Sequence, residues 1–362
     1  MKNLINPKVI REVAQAIKSV YNDFDIDSFF ANIINDIWDK LELMQRCRAV
    51  CTGFREFLPK CYATAVDILM QVATLIEEGF VLEAFTLYVA NYGLDENNWD
   101  KSIAALALFT QHFTSEFAVR PFIVKYENRM MAQMLEWSKS GNEHLRRLSS
   151  EGCRPALPWA MGLPKYKLDP SPILPILENL KADESLYVRK SVANNLNDIS
   201  KTHPELVLKV ANLWYGNNHK TNWIIKHGLR TLLKKSNPKA LAIFGLGNAD
   251  AVEVSDFVLD NVSIAWGGSI TFSFVITAKT DTKTRLEYAI DYMKANGKQS
   301  RKVFQISEIP LKQSQVKNYT RRHSLANHST RKHYAGTHAV TLIVNGQERG
   351  TLGFELAKET IK

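Results

Sequence analysis

The sequence is short of everything that marks a secreted or membrane-spanning protein. Its four cysteines, Cys47, Cys51, Cys61 and Cys153, form no recurring framework, and three of them fall within fifteen positions. That usage fits a reduced, intracellular chain. Cys47 and Cys51 stand four apart on a predicted helix, but no Cys or His pair at metal-ligand spacing follows them. They read as small buried apolar side chains, and no metal is expected. The N-terminal MKNLINPKVIREV lacks a signal peptide's apolar run, and no segment approaches about 18 uninterrupted apolar residues. A phosphate-cradling glycine loop is missing too: the lone Gly245-Leu246-Gly247 enters strand-like text rather than a helix, and reads as linker. A soluble cytoplasmic protein follows, with no membrane partner and no organic cofactor.

Charge is present in quantity but unevenly placed. Residues 1–100 carry 9 Lys/Arg against 15 Asp/Glu, residues 101–250 carry 21 against 12, and the remainder 16 against 10. An acidic first quarter followed by a basic remainder, +9 in total, points to a polyanionic partner for the later parts.

From about residue 8 to about 245 the spacing of apolar residues predicts helix after helix, separated by short polar breaks such as GLDENNWD and SGNE. The later helices resemble one another. In HLRRLSSEGCRP, YVRKSVANNLND and WIIKHGLRTLLK, the residues Leu145, Val188 and Ile224 correspond, 43 and 36 residues apart. Helix pairs at periods near 40 predict a HEAT-like solenoid over residues 1–245. Beyond it the pattern turns to short alternating segments with an Asn345-Gly346 turn, which predicts an immunoglobulin-like all-β sandwich over residues 250–362.

At 100° per residue, Val188, Val192, Leu196 and Ile199 fall on one side of their helix, while Lys190, Asn194, Asn197, Asp198 and Lys201 fall opposite. Arg147, Glu151 and Arg154 occupy the same polar arc one repeat earlier, and Lys226 and Arg230 occupy it one repeat later. Arg147, Arg154, Lys190, Lys226 and Arg230 would then line one groove, as a phosphate track requires. Two carboxylates in that arc, Glu151 and Asp198, oppose an anionic ligand. Either they brace neighbouring arginines at i, i+3 and i, i+4 spacing, or they are aimed at positive charge developing on a sugar. Pro155 and Pro158 should stop the helix near Cys153 and leave Trp159 beyond its end, at the groove mouth or wedged between repeats.

The stretches SEFAVRPFI, HLRRLSSEGCRPALPW and VRKSVANNLNDISKTHP together resemble the DNA alkylation-repair glycosylases of the AlkC and AlkD superfamily. SEGCRPALPW, VANNLND and the terminal sandwich are similar to the AlkC branch in particular. The resemblance implies excision of N3-alkylated bases, chiefly 3-methyladenine and 3-methylcytosine, from duplex DNA without turning the base into a pocket. It implies a carboxylate cluster of Glu116, Glu151 and Asp198, with Trp159 as an aromatic wall and Arg147 as a positioning cation. The partner is then alkylated double-stranded DNA, and a monomer with no obligatory protein partner is expected. KNYTRRHSLANHSTRKHYAGTH, with Arg321, Arg322, Arg331 and Lys332, would be a solvated loop or a second grip on the duplex. The rival reading is a non-catalytic scaffold binding DNA or an acidic protein. A nuclease or lyase fits less well, with no two-metal cluster and no isolated lysine nucleophile.

Overall fold

The structure, a computed structural model, describes residues 1–76, 79–327 and 332–358. The chain divides into two compact units, Met1–Val207 with Trp214–Gly228, and Leu208–Leu213 with Leu229–Lys362. The helical run begins with α1 (Pro7–Val20), α2 (Ile26–Ile33), α3 (Leu43–Phe57), α4 (Tyr62–Ala73), α5 (Glu83–Tyr92) and α6 (Trp99–His112). It continues through α7 (Val119–Lys125), α8 (Glu127–Trp137), α9 (Glu143–Glu151), α10 (Pro164–Leu168) and α11 (Leu174–Leu180). Then follow α12 (Leu186–Ile199), α13 (Pro204–Trp214) and α14 (His219–Gly228). None of the helices among the described residues is long and apolar enough to cross a membrane.

Local chemistry starts several of these helices. Asn6 accepts from the Val9 amide at 3.1 Å with Pro7 at the first helical position, and Asn142 accepts from the His144 amide at 2.8 Å at the head of α9. Each such cap satisfies one orphan donor and contributes about 1 kcal/mol. α9 packs on α6, α8 and α12, and α12 packs on α14. The three stretches matched by their spacing are therefore successive neighbours in one helical stack.

Burial on α12 follows the wheel on its apolar side, where Val188, Val192, Leu196 and Ile199 are all fully buried. The opposite side departs from expectation: Asn197 and Asp198 are buried as well, and Lys190 stays exposed. The reason is that α12 is flanked on two sides. Asn195 reaches across to α9, its Nδ2 donating to the Ser150 carbonyl at 2.8 Å.

The second unit includes α15 (Arg230–Lys234) and α16 (Pro238–Ile243), so the helical text before residue 245 is shared between the units. Its strands are β1 (Val252–Leu259), β2 (Ser263–Ile264), β3 (Ser269–Ala278), β4 (Thr282–Met293), β5 (Gln299–Leu311), β6 (Val316–Ser324), β7 (Gly336–Val344) and β8 (Gln347–Leu356). They form two sheets, β1-β3-β6 and β2-β8-β7-β4-β5, antiparallel except where β2 meets β8. Strand β3 alternates strictly, sending Ile270, Phe272, Phe274 and Ile276 into a core shared with Leu286, Ile290, Val340 and Leu342 of the other sheet. The β7–β8 hairpin turns at Asn345 and Gly346, both with positive φ (46° and 81°), as a tight hairpin turn demands.

Only the first part of the basic, histidine-rich run after residue 316 departs from the solvated loop of one reading, and residues 328–331 lie outside the described residues. Residues 316–324 are β6, an edge strand paired with β3 from Thr277↔Val316 to Ser269↔Ser324. His323 is buried, with its ring between the Tyr288 hydroxyl (2.9 Å) and the Tyr292 hydroxyl (2.6 Å). His338 is buried on β7, and burial pushes its imidazole below the ordinary range.

Candidate active site

The end of α9 sets the geometry. Arg147 and Glu151 are one turn apart on the same face, and the helix closes at Glu151, slightly before the expected stop at Cys153. Gly152, still with helical dihedrals, packs closely at that end. A Cβ there would meet Val119 Cγ2 at 2.6 Å, so only glycine lets the turn press against α7. Proline at 155 then prevents further helix, and Arg154, just past the helix end, pairs back onto Glu151.

A continuous line of ion pairs results. Glu116, in the turn before α7, pairs with Arg147, and Thr114 Oγ1 accepts from Arg147 Nη1 at 2.9 Å while donating to Glu116 Oε2 at 3.0 Å. Arg147 Nη2 lies 3.7 Å from Glu151 Oε1, and that same oxygen takes Arg154 Nη1 at 2.5 Å. Arg154 Nε and Nη2 both reach Asp198 Oδ2, at 2.9 and 2.8 Å, and Lys201 Nζ donates to Asp198 Oδ1 at 2.9 Å. Burial alone would lower the Arg154 pKa, but Glu151 and Asp198 outweigh it and hold the guanidinium charged. The three carboxylates, from three separate elements, are thus joined through two arginines.

This arrangement corrects the outward-facing track. Glu151 and Asp198 are each 5 % exposed and Arg154 is 7 % exposed, so Arg154 is enclosed between two carboxylates rather than offered to a phosphate. The wheel failed here because Arg154 lies beyond the helix and follows the turn, not the 100° progression. Arg230 is displaced for a similar reason: α14 ends at Gly228, and Arg230 opens α15 in the other unit. Lys190 and Lys226 are exposed.

Trp159 departs from the ordinary interior tryptophan. It is 70 % exposed, and its φ of +64° lies in the left-handed region that bulky residues avoid. It lines a cavity of about 790 Å³ together with Glu116, Arg147, Thr114, Tyr187 and Phe113. Tyr187 stacks under Arg147, 5.0 Å from guanidinium carbon to ring centre. The loop carrying Trp159 is fastened from below by Arg120 of α7, which is fully buried. Its Nη1 donates to the carbonyls of Gly152 and Arg154, both at 2.9 Å, and its Nε to the carbonyl of Met161 at 2.7 Å. Burial draws the Arg120 pKa down to about 10.

In the sandwich, Arg321 and Arg322 are adjacent on β6 and so face opposite sides of the sheet. Arg322 is exposed, while Arg321 is half-buried beside Tyr319 and reaches the Ile306 carbonyl at 3.4 Å. Lys332 is exposed, and Arg331 lies outside the described residues. Sequence reasoning missed Thr114, Tyr187 and the role of Arg120 as a tie. Lys201 was visible at i, i+3 from Asp198, but nothing in the local pattern ties Arg120 to a loop more than thirty residues away.

A helical stack joined to an immunoglobulin-like sandwich, with a buried carboxylate line beside an exposed tryptophan, defines the class. Residues 113–232 match the family described as DNA alkylation repair enzyme, and residues 253–358 match the C-terminal Ig-like domain of YhaZ. The chain belongs to the DNA alkylation-repair enzyme family, in its AlkC branch. It is 48 % identical over 356 residues to the Bacillus subtilis (strain 168) protein YhaZ, covering 98 % of this chain and 99 % of that one. A solved structure of Pseudomonas fluorescens alkylpurine DNA glycosylase AlkC, bound to DNA containing an abasic-site analog, superposes with a TM-score of 0.94 at 38 % identity, covering 99 % of each chain.

Proposed function

We propose that this protein is a monofunctional DNA glycosylase that removes cationic N3-alkylated bases, 3-methyladenine and 3-methylcytosine, from duplex DNA without extruding the base. The observation that carries the reading is the line Glu116–Arg147–Glu151–Arg154–Asp198, whose Glu116–Arg147 end lines the cavity together with Trp159. The likeness to a glycosylase seen with abasic-site DNA supports it.

The chemistry follows from charge. Alkylation at N3 makes the base cationic, so when the C1′–N bond breaks its electron pair neutralises the leaving base and no general acid is needed. The sugar becomes oxocarbenium-like, water adds at C1′, and one proton leaves that water for a carboxylate or solvent. Preorganised anions stabilise the developing sugar charge without reorganisation. Glu116 faces the cavity and acts most directly; Glu151 and Asp198, set behind it, fix the field and hold the arginines. Trp159 stands as a wall against the damaged nucleotide, where an indole attracts the positive charge developing on the sugar by about 0.5–2 kcal/mol. Lys190, Lys226, Arg322 and Lys332 are proposed as backbone contacts, with residues 1–245 as the glycosylase part and 250–362 as the clamping part.

The brace reading has one observation in its favour: the i, i+3 and i, i+4 pairs to Glu151 both form. It leaves the strained, exposed Trp159 without a purpose. A base-release assay on N-methylated duplex separates the two, because a scaffold releases no base however tightly it binds.

A further inference from the structure

We infer that Arg120 is a positioning residue for Trp159, acting as a clamp that holds the 152–161 loop shut and so sets the indole against the cavity. The inference rests on the proposed role of Trp159 and adds to it. Arg120 comes from α7, yet its donors grip carbonyls at both ends of the loop: Gly152 and Arg154 on one side of Trp159, Met161 on the other. A loop bond from the Leu163 amide to the Pro155 carbonyl at 3.3 Å closes the same segment. Between these ties the backbone is forced to a positive φ at Trp159, a conformation that persists only when its surroundings over-determine it. A guanidinium is required, because one planar fork must span three carbonyls while buried; lysine's single nitrogen cannot occupy the Nε and Nη1 directions together. The remaining Nη2 finds no acceptor among the described residues, so the side-chain hydrogen bonds of Arg120 all go to the loop. Arg120 hydrogen-bonds to none of the three carboxylates, and because Glu116 and Asp198 do sense its charge, the Arg120→Lys change keeps the charge while breaking the clamp.

The test is a double-mutant cycle on excision of 3-methyladenine from alkylated duplex, with folding of every variant followed by circular dichroism. Arg120→Lys should lower kcat about 10-fold with KM within about 2-fold, because the clamp aligns rather than binds. In the Trp159→Ala background the same change should cost less than about 2-fold, since the residue it positions is gone. Equal losses in both backgrounds, or a folded Arg120→Lys with full activity, overturn the inference. Should Arg120→Lys not fold, one glycine inserted after Gly162 loosens the Met161 tie while leaving Arg120 intact. That variant should lose activity about 10-fold, and full activity or unfolding there counts against a loop clamp. Absence of base release by the wild-type protein would instead refute the proposed activity.

Discussion

Arg154 stands between Glu151 and Asp198, 2.5 Å from the first and 2.8 Å from the second, and nearly closed to solvent. A guanidinium held this way neutralises two carboxylates that come from neighbouring helices of the stack. Arg154→Met should therefore act first on stability. Removing one member of a buried ion network leaves uncompensated charge and costs about 3–5 kcal/mol. Thermal melting should show a clear fall in Tm, with the salt dependence of DNA affinity unchanged. A weakened salt slope at unchanged Tm would place Arg154 on a phosphate after all.

Trp159 predicts the opposite balance. Relieving a non-glycine residue at φ +64° returns about 1 kcal/mol, and an indole this exposed gives up little packing when removed. Trp159→Gly should melt at or slightly above the wild-type temperature yet excise at least 10-fold more slowly, by about 1.4 kcal/mol or more of lost transition-state stabilisation. Differential scanning calorimetry beside single-turnover excision measures both.

Glu83, the first residue of α5, is fully buried with neither side-chain oxygen partnered among the described residues. Burial, and next the charge of Glu116, push its pKa up from 4.5 to about 8. The folded state then holds a proton that the unfolded state releases, so Glu83 favours folding most below about pH 4.5. That advantage should drain away as pH rises to about 8. Glu83→Gln should remove this slope and raise Tm relative to wild type at pH 8 and above. Parallel Tm–pH curves for the two proteins would contradict it.

Lys190 and Lys226, both exposed, should each supply about one phosphate contact. Lys190→Ala and Lys226→Ala should each weaken binding evenly across DNA sequences and reduce the log Kd against log salt slope by about 1. Fluorescence anisotropy over a salt series reads this directly.

The fold was legible where periodicity is local. Leu145, Val188 and Ile224 matched in sequence because α9, α12 and α14 are stacked neighbours, and the alternation of Ile270, Phe272, Phe274 and Ile276 is a sheet facing its core. The carboxylate pair Glu151 and Asp198 was legible for the same reason, since both lie on regular helix. What was hidden came from turns and long reach. Arg154 left the wheel at Gly152, Arg230 left it at Gly228, and Arg120 acts on a loop that no spacing rule connects to α7. The start of the basic, histidine-rich run read as a loop because the pairing of β6 with β3, which carries His323, is non-local.

The central claim is that the carboxylates do chemistry rather than brace the stack. It is tested most directly by release of 3-methyladenine from alkylated duplex by Glu151→Gln and Asp198→Asn, with affinity for an abasic-site duplex measured on the same preparations. Loss of at least about 100-fold in release, with abasic-site affinity kept within a few-fold, is the predicted result. Full excision by both variants would contradict it.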